Sequence, residues 1–154
     1  MSAHVFQERL LWAKVNKTDT CWEWTGCLLK NGYGKHGVGG KQILAHRYSY
    51  EMAGDLIPEG MFVDHVCSNR KCVRPDHLRI VTRKQNSEHL TGAYKNSLTG
   101  VRGVTKRGDR YRAQVRHNGE LLSLGQYSTV EEAEAVVIAK RLELFTHNDS
   151  DRAA

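Results

Sequence analysis

The feature that most constrains this chain is one turn-rich loop, Cys67–His77, in which Cys67, Cys72 and His77 recur at a Cys-x4-Cys-x4-His spacing. A loop that buries little apolar surface needs another source of order, and thiolates with an imidazole can provide it through a metal. Structural zinc prefers four Cys or His ligands in a tetrahedron. Cys21 can supply the fourth from upstream, and Cys27 is an alternative to either Cys21 or His77. The competing reading is that these thiols are small buried hydrophobes, a common fate of cysteine.

Short apolar segments flank the loop. Met61-Phe-Val63 predicts a strand that runs into Asp64-His65, and Leu78-Arg-Ile80-Val81 predicts a second. Thr82 then begins a helix, with Gln85 three residues on at the spacing of a capping box. Asn86 rides in the first turns of that helix, so an Asp, a His and an Asn converge, with His77 on the loop between. Upstream, residues 4–18 predict an amphipathic helix carrying Val5, Phe6, Leu10, Leu11 and Val15. Trp22-Glu-Trp24 begins a strand, Asn31-Gly32 signals a hairpin, and Tyr33–Val38 is the returning strand. Ile43–Ala53 reads as a helix stopped near Gly54.

That set of side chains suits phosphodiester hydrolysis. A neutral imidazole can take a proton from water near pH 7, and a divalent cation held by carboxylate and amide oxygens can offset developing charge. Consecutive strand residues point to opposite faces, so Asp64 can face a metal while His65 faces water. An isolated Asp-His pair carries no such meaning. Here the strands, the helix cap and the loop agree.

The residues from Asp64 to Asn86 resemble the HNH nucleases, the ββα-metal group. Cys21-Trp-Glu-Trp24, Gly32-Tyr-Gly34, Ala45-His-Arg47, Val63-Asp-His65, Cys72-Val-Arg-Pro-Asp-His-Leu78 and Asn86 are similar to the phage-type homing-endonuclease branch. The resemblance covers about residues 20–90. It implies His65 as general base, Asp64 and Asn86 as ligands of one Mg²⁺ or Mn²⁺, and His77 as support for the base or the fold. Many relatives read Cys-Val-Asn-Pro where this chain has Cys72-Val-Arg74-Pro75, which leaves the role of Arg74 open. On the preceding helix, Arg47 can contact a phosphate; the alternative is a packed His46 beside a salt-bridged Arg47.

After a small, polar stretch from Gly92 to Gly100 the texture changes. Seven Lys or Arg residues lie between Tyr94 and Leu122, against Asp109 and Glu120 alone, which concentrates much of a formal net charge of +6. Arg110–Arg116 alternates: Tyr111, Ala113 and Val115 fall on one face, and Arg110, Arg112, Gln114 and Arg116 on the other. Asn118-Gly119 is a hairpin turn, Leu121–Gly125 a further strand, and Ser128-x-x-Glu131 the cap of a helix. Ala133, Val137, Ile138, Leu142 and Phe145 form that helix's packing stripe. A strand face of one charge sign invites a polyanion, and Arg and Gln suit base edges in the major groove. Thr99-Gly-Val-Arg-Gly-Val104, Tyr111-Arg-Ala113, Leu124-Gly125 and Glu131-Glu-Ala133 resemble the DNA-binding domain of plant ethylene-response transcription factors, a domain that also occurs fused to HNH nucleases. The resemblance, over residues 97–146, implies that Arg102, Lys106, Arg110, Arg112 and Arg116 contact DNA.

The expectation is therefore an α+β chain: a ββα-metal HNH nuclease core in residues 1–92, the helix 4–18 included, then a three-stranded antiparallel sheet packed on one helix in residues 97–146. Its function is a metal-dependent, site-directed DNA endonuclease of homing or nicking type, with Mg²⁺ or Mn²⁺ at the reaction centre, structural Zn²⁺, double-stranded DNA as partner, and a monomer or weak dimer as the acting unit. The rival is a non-catalytic, zinc-stabilised DNA-binding protein on an HNH scaffold. A composition 40% hydrophobic and 26% charged describes a folded chain. No apolar run approaches the roughly 18 residues of a membrane span, and the N-terminus lacks the features of a secretory signal, so a cytoplasmic protein is expected, in a bacterial host if phage-encoded. In that compartment the cysteines are not expected to form disulfides.

Overall fold

The computed structural model describes residues 3–90 and 92–152, with side chains from residue 7 onward. The chain is α+β and divides into two compact units, Met1–Arg83 and Lys84–Ala154. The division falls earlier than the polar stretch after Gly92 suggests, within a helix.

The first unit begins with α1 (Ala3–Trp12), which ends six residues before the expected limit. Val5 and Phe6, on which the helix reading leaned, lie outside the described side chains. Val15–Lys17 form β1 instead, paired antiparallel with β2 (Trp22–Trp24). The turn between them is closed by Thr18, whose hydroxyl donates to the Cys21 carbonyl at 2.6 Å and accepts from the Cys21 amide at 3.1 Å. Lys17 adds a cation–π contact, its Nζ 4.0 Å from the Trp22 ring centroid. Strand pairing and that contact outweigh the helical periodicity.

The Asn31-Gly32 turn is present but closes only an isolated bridge between Leu28 and Gly34. The strand after it, β3 (Lys35–Val38), pairs forward with β4 (Lys41–Leu44) across Gly39-Gly40 rather than back to β2. β2 is not open to it: the Trp24 amide donates to the Lys71 carbonyl at 2.9 Å and the Val73 amide to the Trp22 carbonyl at 2.8 Å, so the edge away from β1 is taken. A Cβ on Gly34 would lie 2.6 Å from the Trp24 ring, and one on Gly26 2.7 Å, so backbone takes the place of side chains around the indole. Ile43 and Leu44 belong to β4, and α2 covers only Ala45–Met52. Leu11, Trp24, Ala45 and Val73 form the core, and Ser49 of α2 donates its hydroxyl to the Val73 carbonyl. The last pair, β5 (Phe62–His65) and β6 (Leu78–Val81), runs antiparallel with Asp64 opposite Arg79 and His65 opposite Leu78. A 3₁₀ turn, Pro75–His77, leads into β6.

Thr82 precedes α3 (Arg83–Glu88), most of which belongs to the second unit. There β7 (Val104–Arg107), β8 (Arg110–His117) and β9 (Glu120–Tyr127) form one antiparallel sheet. A bulge sets Ala113 opposite Gly125 and Gln114 opposite Ser123, with Gly125 at φ +112°. The helix α4 (Val130–Leu144) starts one residue later than expected. Its capping box uses Thr129, whose Oγ1 accepts from the Glu132 amide at 3.2 Å, with Glu132 accepting from the Thr129 amide at 3.3 Å. Ala133, Val137 and Phe145 pack on Val104, Ala113 and Val115 as expected. Leu142 does not: it is 40% exposed, and its neighbour Arg141 is the buried residue, donating to Asp151 of α5 (Asp149–Arg152) at 3.1 Å.

Candidate functional site

The loop that constrains the sequence also organises the first unit. Three of its residues and Cys21, just ahead of β2, place the thiol sulfurs of Cys21, Cys67 and Cys72 and a ring nitrogen of His77 within 4.8 Å of one another. His77 Nδ1 lies 3.7 Å from Cys21 Sγ and 3.6 Å from Cys72 Sγ. A tetrahedral zinc with ordinary bond lengths separates sulfur and nitrogen ligands by roughly 3.5 Å, so the donor set fits that ion. Cys27 is exposed and stands outside the cluster. Burial, reinforced by the neighbouring thiols, pushes Cys67 up to about 12 against an opposing hydrogen bond from the Asn69 backbone; burial also raises Cys72. Metal-free, the cluster therefore holds protons that zinc must displace, as thiolate ligation requires. Arg74 also finds its place here. Its guanidinium donates to the carbonyls of Asp19 at 2.9 Å and Thr20 at 3.2 Å, tying down the turn that delivers Cys21.

On β5, Asp64 and His65 are both buried. Arg79 faces Asp64 across the β5–β6 pair and places Nε and Nη2 each 3.0 Å from Oδ2, a two-pronged contact that fixes the carboxylate. His65 Nε2 lies 2.9 Å from the Cys72 carbonyl. A carbonyl only accepts, so Nε2 carries the proton and Nδ1 is the basic nitrogen of the neutral ring. Cys72 thus serves both halves of the site, its thiol in the metal cluster and its carbonyl on His65. The His65 ring also lies 4.7 Å from that of His46 and 5.8 Å from Tyr33. Burial first, then repulsion from His65 and Arg47, lowers His46 to about 3 against the pull of Asp64. His46 is neutral at pH 7 and adds no charge beside His65. Arg47 is half-buried and makes no ion pair among the described residues. Asn86 stands on α3, in the second unit.

The sheet of the second unit exposes an arginine row. Arg110, Arg112, Gln114 and Arg116 share the face away from α4, while Ala113 and Val115 are buried against it. Register adds one residue and moves another. Arg107 pairs with Arg110 and so joins the row, whereas Lys106 pairs with Tyr111 and belongs to the helix-side row. The two-residue turn at Gly108-Asp109 fixes that pairing, so Lys106 does not share the face of Arg110, Arg112 and Arg116. Arg102 departs further from expectation: it donates to the carbonyls of Ser87 at 2.9 Å, Glu88 at 3.2 Å and Leu90, so its guanidinium is spent inside the unit. Arg110 and Arg116 each donate once to a carbonyl, of Gln126 and Gly119. Among the described residues, no member of the arginine row forms an ion pair.

This geometry has a counterpart among known families. Residues 44–88 match the family model of HNH endonucleases. The matched stretch runs from the end of β4 through α2, β5, the Cys–His loop and β6 to the end of α3. The chain is also 40% identical over 72 residues to Protein 7.7 of Escherichia phage T7, covering 47% of this chain and 55% of that one. It is 39% identical over 72 residues to Protein 2.8 of the same phage, covering 46% and 48%. The uncharacterized gene 5.3 protein of Enterobacteria phage T3 is 28% identical over 75 residues, covering 40% and 74%. The chain spans about half the length of the two T7 proteins. No solved structure matches it. The HNH match points to metal-dependent nuclease chemistry on a nucleic acid, and the Cys3His cluster is compatible with zinc. No helix among the described residues is long and apolar enough to cross a membrane.

Sequence reasoning missed Arg79, Arg107 and the packing of His46 on His65. The first two follow from cross-strand register, which alternation within a single strand does not contain. His46 had a signal, two histidines each beside a charged residue, but no spacing rule links α2 to β5.

Proposed function

We propose that the chain is a site-directed DNA endonuclease in which His65 is the general base, Asp64 and Asn86 hold one Mg²⁺ or Mn²⁺, and zinc in the Cys21–Cys67–Cys72–His77 cluster is structural. The observation that carries this reading is the contact of His65 Nε2 with the Cys72 carbonyl at 2.9 Å, because it engages one ring nitrogen of the buried His65 and leaves the proton-accepting role to Nδ1. His65 Nδ1 would take a proton from the attacking water, and Arg79 would keep the Asp64 carboxylate aligned. When bound, the divalent cation supplies positive charge beside the scissile phosphate and the leaving oxygen. Carboxylate and amide oxygens are suitable hard donors for it. Asn86 enters through its place in the HNH motif.

The second unit would read DNA through Arg107, Arg110, Arg112, Gln114 and Arg116, a reading supported by the one-signed sheet face and by the likeness to plant ethylene-response domains. One set of catalytic residues per chain suits nicking by a monomer, with a weak dimer for paired cuts. The Arg79–Asp64 ion pair favours the rival, a zinc-stabilised DNA-binding protein that does not cut, because a cation must share a carboxylate already engaged.

A supercoiled-plasmid assay separates the two. Nicked or linear product with Mg²⁺ or Mn²⁺, and none with EDTA, is expected. DNA binding without any product would favour the rival. His65→Ala should abolish cleavage and leave DNA affinity unchanged; cleavage that survives the substitution removes His65 from the base role.

A further inference from the structure

α3 is six residues long, too short to hold its shape by its own hydrogen bonds. Two side chains of the second unit secure it. At its C-terminal end Arg102 donates to the carbonyls of Ser87, Glu88 and Leu90, groups that the end of a helix leaves without partners. The same guanidinium lies over the Phe145 ring, 5.8 Å from its centroid, and Phe145 belongs to the unit's core. Glu88 reaches into the unit. Its side chain is 4% exposed, and Oε2 accepts from the Thr146 amide at 2.9 Å, the Thr146 hydroxyl at 3.1 Å and the His147 amide at 3.4 Å. A buried carboxylate is costly unless it is supplied with donors or a charge. Oε2 has three donors and Oε1 faces the Lys84 ammonium at 3.6 Å, which makes Glu88 a specific anchor rather than an incidental surface charge.

We infer that Glu88 and Arg102 are positioning residues, which hold the short α3 in its helical form and hence the presentation of Asn86, on which metal-dependent cleavage depends. Residues two apart on a helix do not face one another, so anchoring Glu88 does not draw the Asn86 side chain into the same contacts. What the anchors set is the helical geometry of the segment that presents it. The inference rests on the reading of Asn86 as a metal ligand.

The test uses the full chain and four variants: Glu88→Ala, Arg102→Met, Glu88→Gln and Thr146→Val. Three quantities are measured: the Mg²⁺ concentration for half-maximal plasmid cleavage, amide hydrogen exchange of residues 83–90, and DNA affinity in EDTA. Glu88→Ala and Arg102→Met should raise the Mg²⁺ requirement by roughly 10–100-fold, the usual cost of losing a group that orients a ligand. They should speed exchange in 83–90 and leave DNA affinity unchanged. Glu88→Gln keeps an oxygen acceptor for Thr146 and should behave as the parent. Should Glu88→Ala fail to fold, Thr146→Val removes one hydroxyl donor and should shift both readouts in the same direction, by less. Unchanged exchange in 83–90 overturns the anchoring. Faster exchange with an unchanged Mg²⁺ requirement overturns the positioning role while the nuclease reading stands. A parent protein that binds DNA but never cleaves overturns the nuclease reading, and the positioning role with it.

Discussion

His65 owes its orientation to a main-chain carbonyl, and substitution at Cys72 removes the thiol while leaving that carbonyl in the chain. The two duties of this residue can therefore be separated from outside. Cys67→Ala should lower the zinc content of protein purified without chelator from about one ion per chain to near none. Cys27→Ala should leave it unchanged; equal loss in both would remove the cluster from consideration. His46 gives a pH signature. Its pKa in the folded protein, about 3, lies below the 6.5 of an exposed ring, so the unfolded chain binds the proton first. The contribution is neutral above pH 6.5, and stability falls as pH drops from 6.5 toward 3. At pH 5 the loss is at most about 2 kcal/mol. Urea unfolding of the parent and His46→Asn at pH 7.5 and 5 should show the parent losing more; parallel losses would mean that His46 does not titrate this way. The residues of the proposed centre were legible because Asp64, His65, Asn86 and the Cys–His loop stand close in sequence. Arg79 was not, since it meets Asp64 only through β-pairing.

At the scale of elements, β8 and α4 could be read from alternation and helical periodicity, because each buries one face against a core, and β5 and β6 from short apolar runs. The misreadings lie where a partner outside the segment decides. The Asn31-Gly32 turn is real, yet the free edge of β2 is taken by the backbone of Lys71–Val73, and Gly39-Gly40 offers β3 another partner. α1 stops where β2 becomes available to Val15–Lys17. The arginine row is an element-level property too, fixed by the turn between β7 and β8. If it binds phosphates, Arg107→Ala should lower the slope of log K against log salt by about 1, measured by fluorescence anisotropy on duplex DNA. Lys106→Ala, on the opposite row, should lower it less. A larger effect from Lys106 would place the DNA on the other face.

For the whole molecule, the boundary between units matters more than their number. Composition suggests a nuclease core and a detachable basic module joined near Gly92. The contacts of Glu88 and Arg102 instead give α3 to the second unit, and no local pattern announces this because both anchors meet their partners across long stretches of chain. A domain boundary drawn by texture therefore cuts through the anchoring of the helix that carries Asn86. The shared residue Cys72 has a consequence in time. On the proposed reading a chelator would act on two ions, one held by oxygens and one by three thiolates and an imidazole. Inactivation by EDTA should therefore have two phases. Excess Mg²⁺ should restore full activity after brief exposure; after long exposure it should restore little until zinc is returned, because the carbonyl that orients His65 has lost its frame. Activity assayed against incubation time, with Mg²⁺ or with Mg²⁺ and Zn²⁺ added back, will show whether the protein carries this record of its treatment.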